Sequence, residues 1–305
     1  MLREPYATRT QVAFPTSVTL APVTDPYFRG FDNALPDYWR YREWARDFDA
    51  RYKTNKHAGR AVEDLPALTL IRLMHDHTGS YSTAIDGVNT PDLEVADNDY
   101  AVGLVVQKIS ESRFASNTLI FVIEDDAQDG GDHVDSHRTI AFVAGPYVKR
   151  GAVVSTRYTT LNFLRTIEEV LGLPEINAQK GLPPMMNLND ALARPMADIF
   201  DTTPGAWNFT ASPSAMLYNT SLPLAPQPAG MMVPRPPHDA SYWARTTKGM
   251  NLSDADVVDE RFRPTGPISP NRPTRSLPVT SRLREGFFSI TTLSRPPARC
   301  WVRRP

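Results

Sequence analysis

Two short clusters of histidine and acidic residues are the part of this 305-residue sequence best suited to chemistry. The first, MHDHTG, contains His75, Asp76 and His77, and the second, EDDAQDGGDHVDSH, covers residues 124–137. Carboxylates so closely spaced repel one another unless cations are bound. Carboxylates mixed with imidazoles suit Zn²⁺, Mn²⁺ or iron, whereas oxygen ligands alone suit Mg²⁺ or Ca²⁺. We therefore expect one or more divalent metal ions, with Zn, Mn and Ca as candidates.

Each cluster taken alone also fits a purely structural role. A His-Asp-His segment can be only a capped turn, and an acidic loop is commonly just solvated. The spacing of the acids does not match the alternating ligands and glycine of an EF-hand loop. What favours a site is that both clusters follow predicted strands. Gly130 and Gly131 would also let the second loop fold back over an ion.

Strands and helices alternate through the middle of the chain. Continuous apolar runs predict buried strands at 67–73 (ALTLIRL) and 118–123 (TLIFVI), and a further strand is predicted at 139–144. This alternation favours an α/β fold with a doubly wound, mostly parallel sheet that helices cover on both faces. Sites in such sheets gather beyond the carboxyl ends of the strands. Both clusters should therefore lie at one edge of the sheet.

Three helices should position these strands. The first should begin after Pro36 with Asp37 as its cap, and a second is predicted near 96–110, where caps and the helix dipole explain Asp97 and Asp99. A third should begin after Thr159 or Thr160 and end at Gly172. Its inward residues are expected to be Leu161, Leu164, Ile167 and Leu171.

Charge is distributed unevenly along the chain. Residues 261–305 contain ten arginines, one acid and no lysine, a net charge of +9, whereas the first 260 residues carry −10. Such a tail could bind nucleic acid. Arginine without lysine, mixed with proline and serine, is also what a GC-rich gene gives in a shifted frame. We favour the frameshift hypothesis, which disfavours nucleic acid as a partner.

Several classes of protein are disfavoured by the composition. No run of about 18 apolar residues exists, so no transmembrane segment is expected. The first residues lack the apolar core of a signal peptide, and the localisation is left open. The single cysteine, Cys300, excludes an intrachain disulfide and a Cys-based zinc site.

The core of the sequence resembles a known family. The run TLIFVIEDDAQDGGDHVDSHRTIAFVAGPYVKRG, followed by YTTLNFLRTIEEVLGL, is similar to the bacterial phosphoesterases, which form the phospholipase C and acid phosphatase branch of the alkaline phosphatase superfamily. The upstream segments LTLIRLMHDHTGSY and NTPDLEVADNDYAVGLVVQKI are similar to it as well. The resemblance covers about residues 20–260.

The resemblance implies an alkaline-phosphatase-like α/β domain whose metal site hydrolyses phosphate esters. Asp125-Asp126 and Asp132-His133 match the acidic and D-H-V motifs of the family. By superfamily order, the earlier Asp/His pair matches Asp76 and His77. The implied metal ligands are Asp76, His77, Asp125, Asp126, His133 and His137. The implied second shell, which would orient the ligands, comprises His75, Asp129, Asp132 and Asp135.

The sequence departs from the family at its N-terminal end. Members carry an N-terminal half with the first metal ligands and a Ser or Thr nucleophile, and nothing resembling that half precedes residue 20. We therefore expect a C-terminal portion of a longer enzyme with an incomplete sheet, no catalytic nucleophile in this chain, and the missing half as a partner beside the phosphate-ester substrate. The alternative is a non-catalytic metal-binding fragment of such an enzyme.

Four regions follow from these observations. The first is an N-terminal connecting region with an amphipathic helix, and the second is the α/β metal-hydrolase core. A proline-rich arm with a short helix and a basic, disordered, proline-rich tail complete the chain. Their predicted bounds are 1–66, 67–203, 204–260 and 261–305.

Overall fold

The protein has a mixed α/β fold. The computed structural model describes residues 2–15, 17–52, 63–124, 139–183, 188–249 and 288–294, the last as backbone alone. Within these ranges four strands form one sheet, with helices along the chain between them. The strands are β1 (Leu68–Leu73), β2 (Thr118–Ile123), β3 (Ala141–Ala144) and β4 (Phe288–Ser294). The helices are α1 (Asp37–Tyr52), α2 (Pro91–Ser110), α3 (Thr160–Leu171), α4 (Leu173–Gln179), α5 (Leu188–Leu192) and α6 (Ala240–Thr246).

The sheet differs from the expected parallel arrangement. Its strand order is β1-β4-β2-β3, and each pair of neighbours in this described sheet is antiparallel. The reason is that β4, which comes from the C-terminal tail, lies between β1 and β2. Because β1 and β2 both run antiparallel to β4, they run in the same direction as each other. The remainder of the tail that we expected to be disordered lies outside the described residues.

One face of the sheet packs against α1 and α2. Ile71 and Leu73 of β1 alternate with exposed residues, and their side chains point to the same face as Ile120 and Val122 of β2. The prediction that β1 is a buried strand is therefore wrong for its other face, where Leu70 is 60% exposed. These four residues share a buried cluster with aromatic and aliphatic side chains of the two helices, among them Phe48, Val105 and Ile109. Burying such side chains contributes roughly 1.5–3 kcal/mol each. This core holds α1 and α2 against one face of the sheet.

The opposite face of β2 packs against α3, whose buried side differs from our prediction. Phe121 contacts Phe163 edge-on, with ring centroids 6.0 Å apart, and Ile167 and Leu171 join this cluster. Leu161 and Leu164 are instead 38% and 41% exposed, so the prediction that they point inward is wrong. The helix is rotated because the aromatic contact with Phe121 sets the face that meets the sheet.

The ends of α3 agree with the sequence prediction. The backbone N–H of Thr159 donates to the side-chain oxygen of Asn162, at 2.7 Å, across the first turn of the helix. Gly172 ends the helix with a φ of 69°, a left-handed conformation that glycine adopts without steric cost.

The start of α2 lies earlier than predicted. Thr90 caps the helix by accepting the backbone N–H of Leu93, and Pro91 occupies the first turn, where its missing N–H costs nothing. Asp97 therefore lies inside the helix and does not open it. Asp37 does not cap α1 either, since it is the first residue of that helix.

The C-terminal arm lies against the α/β core. Asp239 caps the short helix α6 by accepting the backbone N–H of Tyr242, at 2.8 Å. Trp243 of this helix lies beside Tyr81, with ring centroids 6.1 Å apart. In the part of the chain that the structure describes, none of the helices combines the length and the apolar character needed to cross a membrane.

Candidate functional site

The carboxyl ends of β1 and β2 lie at the same edge of the sheet. Arg72 and Ile123 both pair with Ser289 of β4, one from each side, so the two strands end within one residue of each other. Two strand spacings separate them, about 10 Å. The turn with His75, Asp76 and His77 and the segment that begins at Glu124 therefore leave the sheet side by side.

The turn after β1 is held from three directions. The backbone N–H of His77 donates to the carbonyl of Met74, at 3.1 Å. The side-chain amide of Asn33 donates to the carbonyl of His77, and the backbone N–H of Gly79 donates to Glu94 Oε2, at 2.8 Å. Residues before α1 and residues in the first turn of α2 thus fix the conformation of the His-Asp-His segment.

His75 has hydrogen-bond acceptors on both ring nitrogens. Nδ1 lies 2.8 Å from Asp97 Oδ2, and Nε2 lies 2.9 Å from the backbone oxygen of Asn33. A carboxylate and a carbonyl can only accept, so both nitrogens carry hydrogen and the ring is an imidazolium. Burial opposes this charge, but the bond to Asp97 and the charges of Asp37, Asp97 and Glu94 outweigh burial and raise the pKa of His75 to about 9.

Asp37 joins α1 to the same turn. Its fully buried carboxylate accepts the backbone N–H groups of Met74 and His75, each at 2.9 Å, and the side-chain amide of Asn98, at 3.0 Å. Arg40, one turn further along α1, pairs with the other oxygen at 2.9 Å, and both side chains are fully buried. A buried ion pair of this kind depends on its full set of hydrogen bonds.

Asp97 caps α1 from the neighbouring helix. Its two carboxylate oxygens accept the backbone N–H of Asp37, at 2.5 Å, and of Tyr38, at 3.1 Å. These are among the N–H groups that a helix start leaves without an internal partner, and a negative charge there is favoured by the helix dipole. Asp97 therefore ties α1, α2 and His75 together.

The Asp37, His75 and Asp97 side chains form a buried group that could bind a metal ion. One ligand atom from each lies within 4.8 Å of the other two. Each of those side chains is already used in the hydrogen bonds described above, and His75 has no lone pair available while both its nitrogens are protonated. A cation here would have to displace these bonds. As the structure has it, the group braces the turn.

The sequence analysis missed this group, because its members come from three separate elements. Asp37 belongs to α1, His75 to the turn after β1 and Asp97 to α2. The sequence analysis explained Asp37 and Asp97 as caps of their own helices. That role is sufficient to explain an aspartate at each position, so no other role was sought. No spacing in the sequence distinguishes a carboxylate that caps its own helix from one that caps another.

Asp76 and His77 follow His75 in the turn. Asp76 is half-buried, with both carboxylate oxygens hidden from solvent. His77 is 3% exposed, and its ring meets that of Phe31 edge-on, with centroids 5.3 Å apart. In this motif, the ring of His75 is held by hydrogen bonds at both nitrogens.

The second predicted cluster is described only at its start. Glu124 follows β2 and accepts the hydroxyl of Thr139 at 2.9 Å. The remaining members of the cluster lie outside the described residues, so their roles stay predictions. These are the predicted ligands Asp125, Asp126, His133 and His137 and the predicted supporting residues Asp129, Asp132 and Asp135.

Glu94 is a second residue that the sequence analysis did not single out. It is fully buried behind the turn, and its Oε1 has no hydrogen-bond partner, while Oε2 accepts from Gly79. Burial raises the pKa of Glu94 to about 8, although the positive charge of His75 opposes the shift. An acidic residue in the first turn of a helix is ordinarily exposed to solvent. The sequence therefore gave no reason to expect that Glu94 is buried.

A cavity opens on the outer side of the turn. Its volume is about 230 Å³, and it is lined by Phe31, Asp32, Asn33, His77 and residues 78–80. The cavity thus borders His77.

Comparison with known proteins adds no relative. No family model, curated protein or solved structure matches this chain. The function has to be argued from the geometry of the site.

Proposed function

We propose that this chain contributes to a metal-dependent hydrolase of phosphate esters, of the phosphoesterase type that its motifs resemble. The observation that carries the proposal is the alignment of the ends of β1 and β2, since Arg72 and Ile123 flank the same residue of β4. This alignment brings the Asp76–His77 pair and the start of the acidic cluster to one edge. In open α/β sheets, binding sites lie beyond the carboxyl ends of the strands, where both groups of residues begin.

The shared direction of β1 and β2 fits one unit of a doubly wound arrangement. β1 and β2 run the same way and are joined through α2, a 20-residue helix that packs on one face of the sheet. Strands of the same direction need such a crossover connection. α3 lies on the other face. We propose that β1, α2 and β2 form one crossover unit of a doubly wound fold, with β4 lying between the two strands in the described sheet.

The donor set of the turn fits a divalent cation. Asp76 offers carboxylate oxygens and His77 an imidazole, a combination that suits Zn²⁺ or Mn²⁺. Ca²⁺ prefers oxygen ligands alone, so it would be bound without His77. We propose Asp76, His77, Asp125, Asp126, His133 and His137 as the ligands. A divalent ion held there would polarise the phosphate oxygens and favour the deprotonated form of an attacking hydroxyl or water.

The residues around the turn would hold it in place for this chemistry. His75 anchors the turn to α2 through Asp97, and Asp37 anchors it to α1 through the N–H groups of Met74 and His75. Ligands fixed by a hydrogen-bonded network lose little freedom on binding an ion, which raises affinity. His75 would act in this way as a support and not as a ligand.

The test is the metal content and the turnover of the purified chain, with a matched pair of variants. Asp76→Asn should lower the bound Zn or Mn at least tenfold by elemental analysis, since support residues and ligands typically matter by 10–100-fold. Asp64→Asn, at an exposed carboxylate near the start of β1 and so at its opposite end, should leave the metal content unchanged.

The outcomes separate the two candidate functions. Metal-dependent release of p-nitrophenol from p-nitrophenyl phosphate, lost in Asp76→Asn, would support the hydrolase. Stoichiometric metal without turnover under Zn, Mn, Mg and Ca would instead identify a non-catalytic metal-binding fragment. Absence of bound metal in the wild-type chain would contradict both.

A further inference from the structure

The loop between β3 and α3 exposes two adjacent valines between basic residues. Every residue from 149 to 157 is exposed to solvent. Val153 is 92% exposed and Val154 is 37% exposed. Single exposed aliphatic residues are normal on a protein surface and need no explanation. These valines differ because Arg150 precedes them and Arg157 follows them, so apolar and positively charged side chains share one short loop.

The surroundings of the valines are positively charged. Residues 139–167 contain four basic residues and no acidic residue, whereas the first 260 residues together carry a net charge of −10. Lys149 Nζ donates to the backbone carbonyl of Asp198, at 2.7 Å, and Arg150 donates to that of Ala206. Because a carbonyl does not neutralise a cation, both residues keep their positive charge at the surface.

The base of the loop is fixed at both ends. The backbone N–H of Lys149 donates to the carbonyl of Ile199, at 3.0 Å. At the other end, the hydroxyl of Thr156 donates to Asp198 Oδ2, at 2.7 Å, and the hydroxyl of Tyr158 donates to Oδ1 of the same carboxylate. The loop therefore presents its valines from a defined position.

The neighbouring helix α5 adds to the exposed aliphatic surface. Leu188 and Leu192, one helical turn apart, are 72% and 74% exposed. The side-chain amide of Asn162, near the start of α3, donates to the carbonyl of Arg194, at 2.8 Å, which ties the segment after α5 to the end of the loop. Among the described side chains here, the carboxylates of Asp198 and Asp201 are outnumbered by the exposed cations Lys149, Arg150, Arg157 and Arg194.

We propose that the loop at 149–157 attaches this protein to the surface of an anionic membrane. The valines would enter the boundary between headgroups and acyl chains, while the basic residues contact the lipid phosphates. A nucleic acid would satisfy the cations but leave the valines in water, so a lipid surface matches the loop better. The acidic remainder of the chain would be repelled by the same membrane, which favours binding through this loop.

The proposed attachment does not depend on the proposed hydrolase. β3 runs antiparallel to β2, and Gly145, directly after β3, lies beside Thr118 at the start of β2. The loop therefore leaves the sheet at the end opposite to the candidate metal site. Substitutions in the loop should leave metal content and the turnover of soluble p-nitrophenyl phosphate unchanged.

The experiment measures co-sedimentation of the full chain with vesicles in the presence of EDTA, which prevents divalent ions from bridging protein and lipid. Vesicles of equimolar phosphatidylcholine and phosphatidylglycerol should bind the chain, and vesicles of phosphatidylcholine alone should bind it far more weakly. Val153→Asn should weaken binding about tenfold, the low end for one buried aliphatic side chain. Arg157→Gln should weaken it about fivefold, the contribution of one basic residue near an anionic surface.

Each loop substitution has a matched control. Val18→Asn replaces a valine that is 90% exposed in a short 3-10 helix (Val18–Val23), and Arg235→Gln replaces an exposed arginine of the proline-rich arm. Both controls should bind the anionic vesicles as the wild type does. All four positions are exposed, so the melting temperatures of the variants should equal that of the wild type.

The outcomes decide between a membrane and other partners. Weaker binding in both loop variants and in neither control supports the proposal. Binding that neither loop substitution changes would place the lipid contact elsewhere, for example in the arginine-rich residues 261–305, and would overturn it. Binding lowered by Arg157→Gln but not by Val153→Asn would identify a general surface for polyanions such as nucleic acid, which also overturns it. Failure of the wild type to bind the anionic vesicles would do the same.

Discussion

The ring of His75 bridges two parts of the chain: Nδ1 lies 2.8 Å from the carboxylate of Asp97, and Nε2 lies 2.9 Å from the carbonyl of Asn33. Asp97 in turn caps the start of α1. The orientation of the turn after β1 is therefore set by α1 and α2 together. Any change in the packing of these helices should reach Asp76 and His77 through this ring.

The protonation of His75 is the first prediction. Both ring nitrogens should carry hydrogen at pH 7, because both partners are acceptors and the pKa of His75 is raised to about 9. Nitrogen-15 NMR of the histidine side chains should show one imidazolium that titrates near pH 9. This residue stabilises the fold fully below pH 6.5 and progressively less as the pH rises through 9. A His75 ring that is neutral at pH 7 would contradict the assignment of both hydrogen bonds.

Glu94 should make the fold less stable as the pH rises. Its pKa is raised from 4.5 to about 8, so folding favours the protonated acid, and stability falls between these two values by up to about 1.4 kcal/mol per pH unit. Glu94→Gln mimics the protonated acid. Its melting temperature should match that of the wild type at pH 5 and exceed it at pH 8.5. The control is Glu175→Gln at an exposed residue, which should give parallel curves at both pH values.

Asp37 should be among the most sensitive positions of the fold. Asp37→Ala would leave the guanidinium of Arg40 buried without its carboxylate and would free the N–H groups of Met74 and His75. Breaking a buried pair costs about 3–5 kcal/mol. Urea denaturation should show this loss, whereas Asp47→Ala, at a carboxylate that is 33% exposed, should cost less than about 1 kcal/mol. Equal effects of the two substitutions would argue against the network.

The buried side of α3 can be tested by truncation. Phe163→Ala should destabilise the chain by about 3 kcal/mol, the low end for a Phe→Ala change, because its partly buried ring packs on Phe121 of β2. Leu164→Ala, at a side chain that is 41% exposed, should cost less than about 1 kcal/mol. The free energy of unfolding in urea gives the comparison. A larger loss of stability in Leu164→Ala than in Phe163→Ala would instead support the buried face of α3 predicted from the sequence.

Sequence patterns predicted the local elements well. The apolar run TLIFVI forms β2 over the predicted residues, since a buried strand needs continuous apolar and β-branched side chains. Gly172 ends α3 as predicted, because the left-handed residue after a helix favours glycine. Each of these features depends on only a few neighbouring residues, so the local sequence is enough to predict it.

The tertiary structure decided how these elements meet. The sequence alone determined that His75, Asp76 and His77 follow a strand, and that acids follow the next one. Only the fold decided that His75 bonds to Asp97, that Asp97 caps α1 and that Asn33 holds the carbonyl of His77. The position of β4 between β1 and β2 could not be predicted from the sequence either. The physical reason is the same for each: a hydrogen bond between residues tens of positions apart depends on packing, which leaves no fixed spacing in the chain.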